Sequence, residues 1–180
     1  MILKRAYGRL YINTLSLLAT LYREKSDKEN TRKCYLEALK ESKLHSFKRE
    51  YHILLRKADI CYEIPESIPI IKKSKDYFKN VRDIKEYAKA VHNLGADCLF
   101  EEKWEEAFEY LRQGEKAFDS FGSIDVLYSY IGLGIYEAIH NADYKSALEY
   151  FKMADYKEMN AFKQLTIWLN QAMCYQKARR

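Results

Sequence analysis

The sequence is short of the residues that break helices, with 6 glycines and 2 prolines in 180 positions. A sheet-rich or loop-rich fold needs many more turn residues, so the shortage predicts long helices joined by brief turns. No apolar run approaches the ~18 residues that a membrane-crossing helix requires, so no membrane contact is expected. The N-terminus, Met1-Ile2-Leu3-Lys4-Arg5-Ala6-Tyr7-Gly8, lacks the continuous apolar stretch of a secretory leader. Cys34, Cys61, Cys98 and Cys174 form no C-x-x-C pair, and the four histidines form no H-x-x-x-H or H-x-x-E-H pattern. Metal ligands need such fixed spacings, so neither a metal site nor a cofactor is expected. Reduced thiols packed as small hydrophobes fit a cytoplasmic protein. No Ser or Cys stands in a G-x-S-x-G elbow. Gly132-Leu133-Gly134 lacks the third glycine and the preceding strand of a phosphate loop. With no catalytic constellation, the expectation is a protein that is not an enzyme.

What is present is apolar material and charge. Hydrophobic residues make up 48% and charged residues 32%, enough for a core and too apolar for a disordered chain. The net charge of +5 is mild. Its most lopsided stretch is Lys72, Lys73, Lys75, Lys79, Arg82, Lys85 and Lys89, diluted by Asp76, Asp83 and Glu86. A solvated face explains it; nucleic acid is not expected, because affinity for it grows with the phosphates neutralised and this patch is short and mixed. The 16 tyrosines suit thin helical layers, where a ring packs inward while its hydroxyl stays near solvent.

Periodicity and turn residues predict nine helices: about 3–25, 29–43, 48–63, 67–80, 83–100, 104–120, 124–140, 144–156 and 161–178. In the first, apolar residues recur at Leu10, Leu15, Leu18, Leu21 and Tyr22. Pro65 is expected to stop the third helix, and Pro69 to lie in the first turn of the fourth. No linker-like segment divides the chain.

Three of the helix pairs obey one spacing rule. Ala19, Gly95 and Ile135 each precede Thr31, Ala107 and Ala147 by twelve residues. Four residues on come Tyr35, Leu111 and Phe151, and three further on Ala38, Gly114 and Ala154. Small residues let helix axes approach, and the large residue fills the space one turn away. A repeated register means one hairpin stacked on copies of itself.

On these residues the chain resembles the tetratricopeptide repeat (TPR) family, in a divergent, bacterial-type form. Val91-x-x-Leu94-Gly95-x-x-Cys98 followed by Ala107-x-x-x-Leu111-x-x-Gly114 carries the likeness best, and Leu15-x-x-Leu18-Ala19-x-x-Tyr22 repeats it. The family's closing proline is absent from every pair, and the second pair fits two registers about equally. The resemblance implies an all-α solenoid of about four TPR-like hairpins, near 3–45, 46–81, 82–121 and 122–158. A ninth helix near 160–178 either caps the array or continues a longer one. Gln164, Gln176, Lys177 and their neighbours Lys163, Arg179 and Arg180 would give the cap a polar outer face.

The family binds proteins or peptides in a concave groove lined by the first helix of each pair. In its register, groove positions include Asn13, Ser16, Lys89, His92, Asn93, Ala96, Ser129, Leu133 and Tyr136, and Arg56 faces inward in either register of the second pair. The candidate groove residues are therefore Asn13, Arg56, Lys89, His92, Asn93 and Tyr136. Arg56, Lys89, His92 and Asn93 loosely resemble the family's carboxylate-gripping clamps without reproducing the full set. The implied function is a binding scaffold or adaptor for an acidic or C-terminal peptide. The alternative is the sensor or regulatory C-terminal module of a larger signalling ATPase or transcription regulator.

Overall fold

The structure, a computed structural model, describes residues 2–58, 61–155 and 161–178, and the side chains of all of these except 2–5 and 161–163. Among the described residues it is all-α, with no strand. The helices are α1 (Ile2–Glu24), α2 (Lys28–Leu44), α3 (Lys48–Lys57), α4 (Ile64–Asn80), α5 (Ile84–Phe100), α6 (Trp104–Asp119), α7 (Val126–Ile139), α8 (Tyr144–Ala154) and α9 (Ala161–Ala178). Consecutive helices pack in pairs, and α9 also reaches back to α7, as expected of a solenoid. The predicted end of the fourth hairpin, at 158, and Arg179 and Arg180 lie outside the described residues, as does the Lys163 side chain. None of the described helices is long and apolar enough to cross a membrane.

Five of the turns share one construction. Ser26, Ser46, Arg82, Glu102 and Gly122 all sit in the left-handed region, with φ between 54° and 64°. At each, the turn residue's N–H bonds three residues back and the next N–H bonds five back, as in Glu102 to Leu99 and Lys103 to Cys98. This is the Schellman arrangement that satisfies the last carbonyls of a helix. Glycine fills only one of these five positions, which is how so glycine-poor a chain still turns. Asp27 and Asp143 open the following helices: their carboxylates accept from the N–H of Asn30 (3.0 Å) and Ser146 (3.1 Å). The side chains of Asn30 and Ser146 add second bonds, and these hold both aspartates below the usual carboxylate range.

The chain forms two compact units, Met1–Glu86 and Tyr87–Arg180. The first packs Ile12, Leu15 and Ala19 of α1 against Tyr35, Ala38 and Leu39 of α2, with Phe47, Leu54 and Leu55 beneath. The second has Leu111, Phe118 and Phe151 fully buried among Ala88, Ala107, Ala147 and Ala154. The small–large–small register thus builds core in both.

The second hairpin departs from the sequence reading. The third helix ends at Lys57, capped by Ala58, rather than near residue 63. The fourth begins at Ile64, not Ser67, so Pro65 falls in its first turn and Pro69 inside it. Pro65 lacks a donor that a first turn does not use, so it starts a helix as readily as it ends one. In α1, Leu10, Leu18 and Leu21 are exposed, while Ile12, Leu15 and Ala19 make the core. In α9, Ile167 and Cys174 are buried, but the outer side carries exposed Leu165, Trp168, Leu169, Met173 and Tyr175 instead of a purely polar face.

Candidate functional site

In the second unit, glycines bring three helices into unusually close contact. A Cβ placed on Gly95 of α5 would lie 2.7 Å from the Leu111 side chain, and one on Gly132 of α7 would meet the same side chain at 2.7 Å. Leu111 of α6 is therefore gripped from both sides. Gly134, two residues on, presents its other side to Phe151 of α8, again at 2.7 Å. So Gly132 and Gly134 are packing notches, which absorbs the only glycine pair the sequence analysis weighed as a loop.

Above Leu111, α5 and α7 leave a cleft of about 350 Å³. His92, Ala96 and Leu99 line it from α5, and Tyr128, Ile131 and Ile135 from α7. Phe100 and Ile139, both exposed, form its rim. The wall is almost wholly apolar. Its polar edge is His92, whose ring lies 5.9 Å from that of Tyr128 and 6.3 Å from that of Phe118. An opening of this size and lining can take one or two apolar side chains, with hydrogen bonding only at the margin. Among the described residues no group of three or more His, Cys, Asp or Glu could hold a metal ion.

Of the six residues expected in a groove, His92 lines the cleft. Lys89 and Asn93 stand beside it on α5, both half-buried. Tyr136 is turned away from the cleft: its ring packs 5.0 Å from Phe108 of α6 and 5.2 Å from His140. In the first unit Asn13 is exposed on α1. Arg56 is buried, and its Nη2 donates to Glu86 Oε2 at 2.9 Å. There the space between α1 and α3 is bridged by Lys57 Nζ donating to Ser16 Oγ at 3.2 Å. Nearby, His52 stacks on Tyr77 at 4.0 Å, and burial pulls its imidazole pKa down.

The sequence reading missed Tyr128, Ile131 and Ile135 for a definable reason. Three residues separate α5 from α6, but four separate α7 from α8. Correspondingly, the Asp143 N–H reaches six residues back to Glu137 O, where Lys103 reaches five back to Cys98 O. Gly134, not Ile135, therefore faces Phe151, and the inner positions of α7 shift by one. Ser129 and Leu133, expected on the groove, are fully buried. The extra turn residue was the available signal.

No family model matches the sequence. No curated protein matches it either. Among solved structures, the crystal structure of BtubC (BKLC) from P. vanneervenii is similar to it, with a TM-score of 0.74 over 95% of this chain and 74% of that one. The two are 18% identical, so the likeness is one of fold.

Proposed function

We propose that the protein is a divergent TPR-type scaffold that binds a peptide segment of another protein in the α5–α7 cleft, without catalysis. The observation that carries this reading is the cleft itself: an apolar opening between two first-position helices, with exposed aromatic and aliphatic residues at its rim. Monomeric surfaces seldom leave such a patch unless something covers it. The ligand is a peptide that inserts one or two apolar anchors over Leu111. Lys89, His92 and Asn93 flank the site and favour an acidic residue or a terminal carboxylate beside the anchor. The free thiols, Cys34, Cys98 and Cys174 among them buried, suit a reducing, cytoplasmic setting.

The test begins with selection of binders from a displayed random-peptide library against the full chain, followed by titration of labelled hits. Phe100→Ala with Ile139→Ala alters only exposed rim residues, so the melting temperature should hold. Affinity should fall at least ~10-fold, the usual consequence of losing central anchors. Lys89→Ala with Asn93→Ala should weaken acidic hits several-fold and flatten their salt dependence. Unaltered affinity in both variants would place the binding surface elsewhere.

A further inference from the structure

The outer side of α1 is apolar, and its pattern differs from that of the side facing the core. Tyr7, Leu10, Leu17 and Leu21 are 74%, 64%, 67% and 55% exposed, and Tyr11 and Leu18 lie beside them. With Thr14, also exposed, the positions 7, 10, 14, 17 and 21 alternate steps of three and four. That is the 3.5-residue spacing of a two-helix seam, in which each side chain meets a facing helix. The core side, Ile12, Leu15 and Ala19, belongs to a different face of the same helix. A surface helix normally carries one apolar stripe, so this one has a face left over.

Three features say what covers it. First, the seam is symmetric about its centre. Leu10 and Leu18 are four residues either side of Thr14, Tyr11 and Leu17 three, and Tyr7 and Leu21 seven. A two-fold interface requires that where residue i meets j, j also meets i, and this arrangement satisfies the rule with the axis at Thr14. Second, the polar groups of Thr14 and Tyr11 in the seam are already bonded within their own chain, and Tyr7 stands at the end of the seam. Thr14 Oγ1 donates to Leu10 O at 2.9 Å, and the Tyr11 hydroxyl donates to Glu37 Oε1 at 2.7 Å. The nearby cation is drawn away as well, since Arg9 bonds Glu50 at 2.8 Å and lies over the Phe47 ring. Covering the seam therefore leaves Thr14, Tyr11 and Arg9 with the partners they already have. Third, the area suffices. At ~200 Å² for a fully exposed large side chain, the six apolar residues present roughly 700 Å² per copy. Two copies reach about 1,400 Å², within the ~1,200–2,000 Å² of stable interfaces.

We infer that the chain forms a two-fold dimer through antiparallel pairing of α1 with α1 of a second copy, centred on Thr14. Leu17 and Leu18 of one copy lie across Tyr11 and Leu10 of the other, respectively, and Leu21 lies across Tyr7. The cleft of the second unit is not part of this surface.

Light scattering after gel filtration should give twice the 21.4 kDa chain mass at micromolar concentration. Leu10→Lys with Leu17→Lys should weaken the dimer at least ~100-fold, because charges would be buried in an apolar seam, with helicity and melting of the isolated chain unchanged. Mild oxidation should cross-link Thr14→Cys with itself. Tyr7→Cys alone should not cross-link, but Tyr7→Cys mixed with Leu21→Cys should. The cysteine series decides alone if the charged variant fails to fold. A monomer up to ~100 μM would overturn the inference, that being a concentration at which any specific interface of this area associates. So would a dimer that survives the lysines on α1 but is lost with Trp168→Lys and Leu169→Lys on α9. Self-linking of Tyr7→Cys would overturn the antiparallel arrangement.

Discussion

The two units treat the space between successive first-position helices in opposite ways. In the first unit polar links form there: Lys57 bonds Ser16 between α3 and α1, and Arg56 pairs with Glu86. Arg49 adds a further tie, gripping Asp83 Oδ2 with both Nε and Nη2 at 2.9 Å. In the second unit close packing at glycines shapes the space. They draw α5 and α7 down onto Leu111 and leave an apolar cleft above it. One register of small and large residues therefore yields a braced wall or an open one, depending on what occupies two or three inner positions. Arg56 and Lys57 are held by side chains of neighbouring helices, while the small and apolar lining of the cleft stays open.

The brace should be the most sensitive point. Arg56 and Glu86 are both about nine-tenths buried. Replacing Arg56 with Met removes the guanidinium from a carboxylate that stays inside, which typically costs ~3–5 kcal/mol. Urea unfolding should show a loss of that order, and adding Glu86→Leu should recover most of it, since paired apolar replacements are often neutral. A loss below ~1 kcal/mol would mean that the pair is not a brace, and the contrast between the units would fail.

The notch in the second unit should be less costly to disturb. Gly132→Ala places a methyl 2.7 Å from the Leu111 side chain, which Gly95 already contacts closely from α5. Overpacking costs ~1–3 kcal/mol, offset by the ~1 kcal/mol that alanine gains over glycine inside a helix. A net loss of up to ~2 kcal/mol is expected by thermal unfolding. Peptide affinity should fall with it, because the displaced Leu111 is the floor of the cleft. A stabilised variant with unchanged affinity would show that the glycine is not what sets the opening.

The fold was legible because its cause is local. Ala19, Thr31, Tyr35 and Ala38, and Gly95, Ala107, Leu111 and Gly114, are all buried where the spacing rule puts them. Helix crossings leave that trace in any sequence that forms them. The site was legible only in part. His92 and Ala96 followed from the register of α5. Tyr128, Ile131 and Ile135 did not, because one additional residue in the turn after α7 rotates every inner position by about a third of a turn. Arg56 illustrates a different limit. Its inward direction could be read from spacing, but its partner Glu86 is thirty residues away. The outer face of α1 was hidden for a third reason: two apolar stripes on one helix merge into a single hydrophobic pattern, and only the fold separates Leu15 from Leu17.

The smallest effect tests whether the turns of the second unit are interchangeable. Glu102 closes α5 with φ 54°, and Gly122 closes α6 with φ 64°. An L-residue in this region carries a steric cost of ~1–2 kcal/mol from its Cβ and the following carbonyl. Glycine escapes that cost but gives the unfolded chain more freedom, worth ~0.5–1 kcal/mol in the opposite direction. Glu102→Gly should therefore stabilise the protein by up to ~1 kcal/mol, and Gly122→Ala should destabilise it by a similar amount. Nothing lies within 4 Å of a Cβ built on Gly122, so its loss would come from the backbone alone. Both shifts are measurable as changes in the urea midpoint with the slope unchanged. If Glu102→Gly instead destabilises, the glutamate side chain contributes to the end of α5 by a contact of its own. The turns would then be individually fitted, and not copies of one hydrogen-bonded design that any glycine could serve.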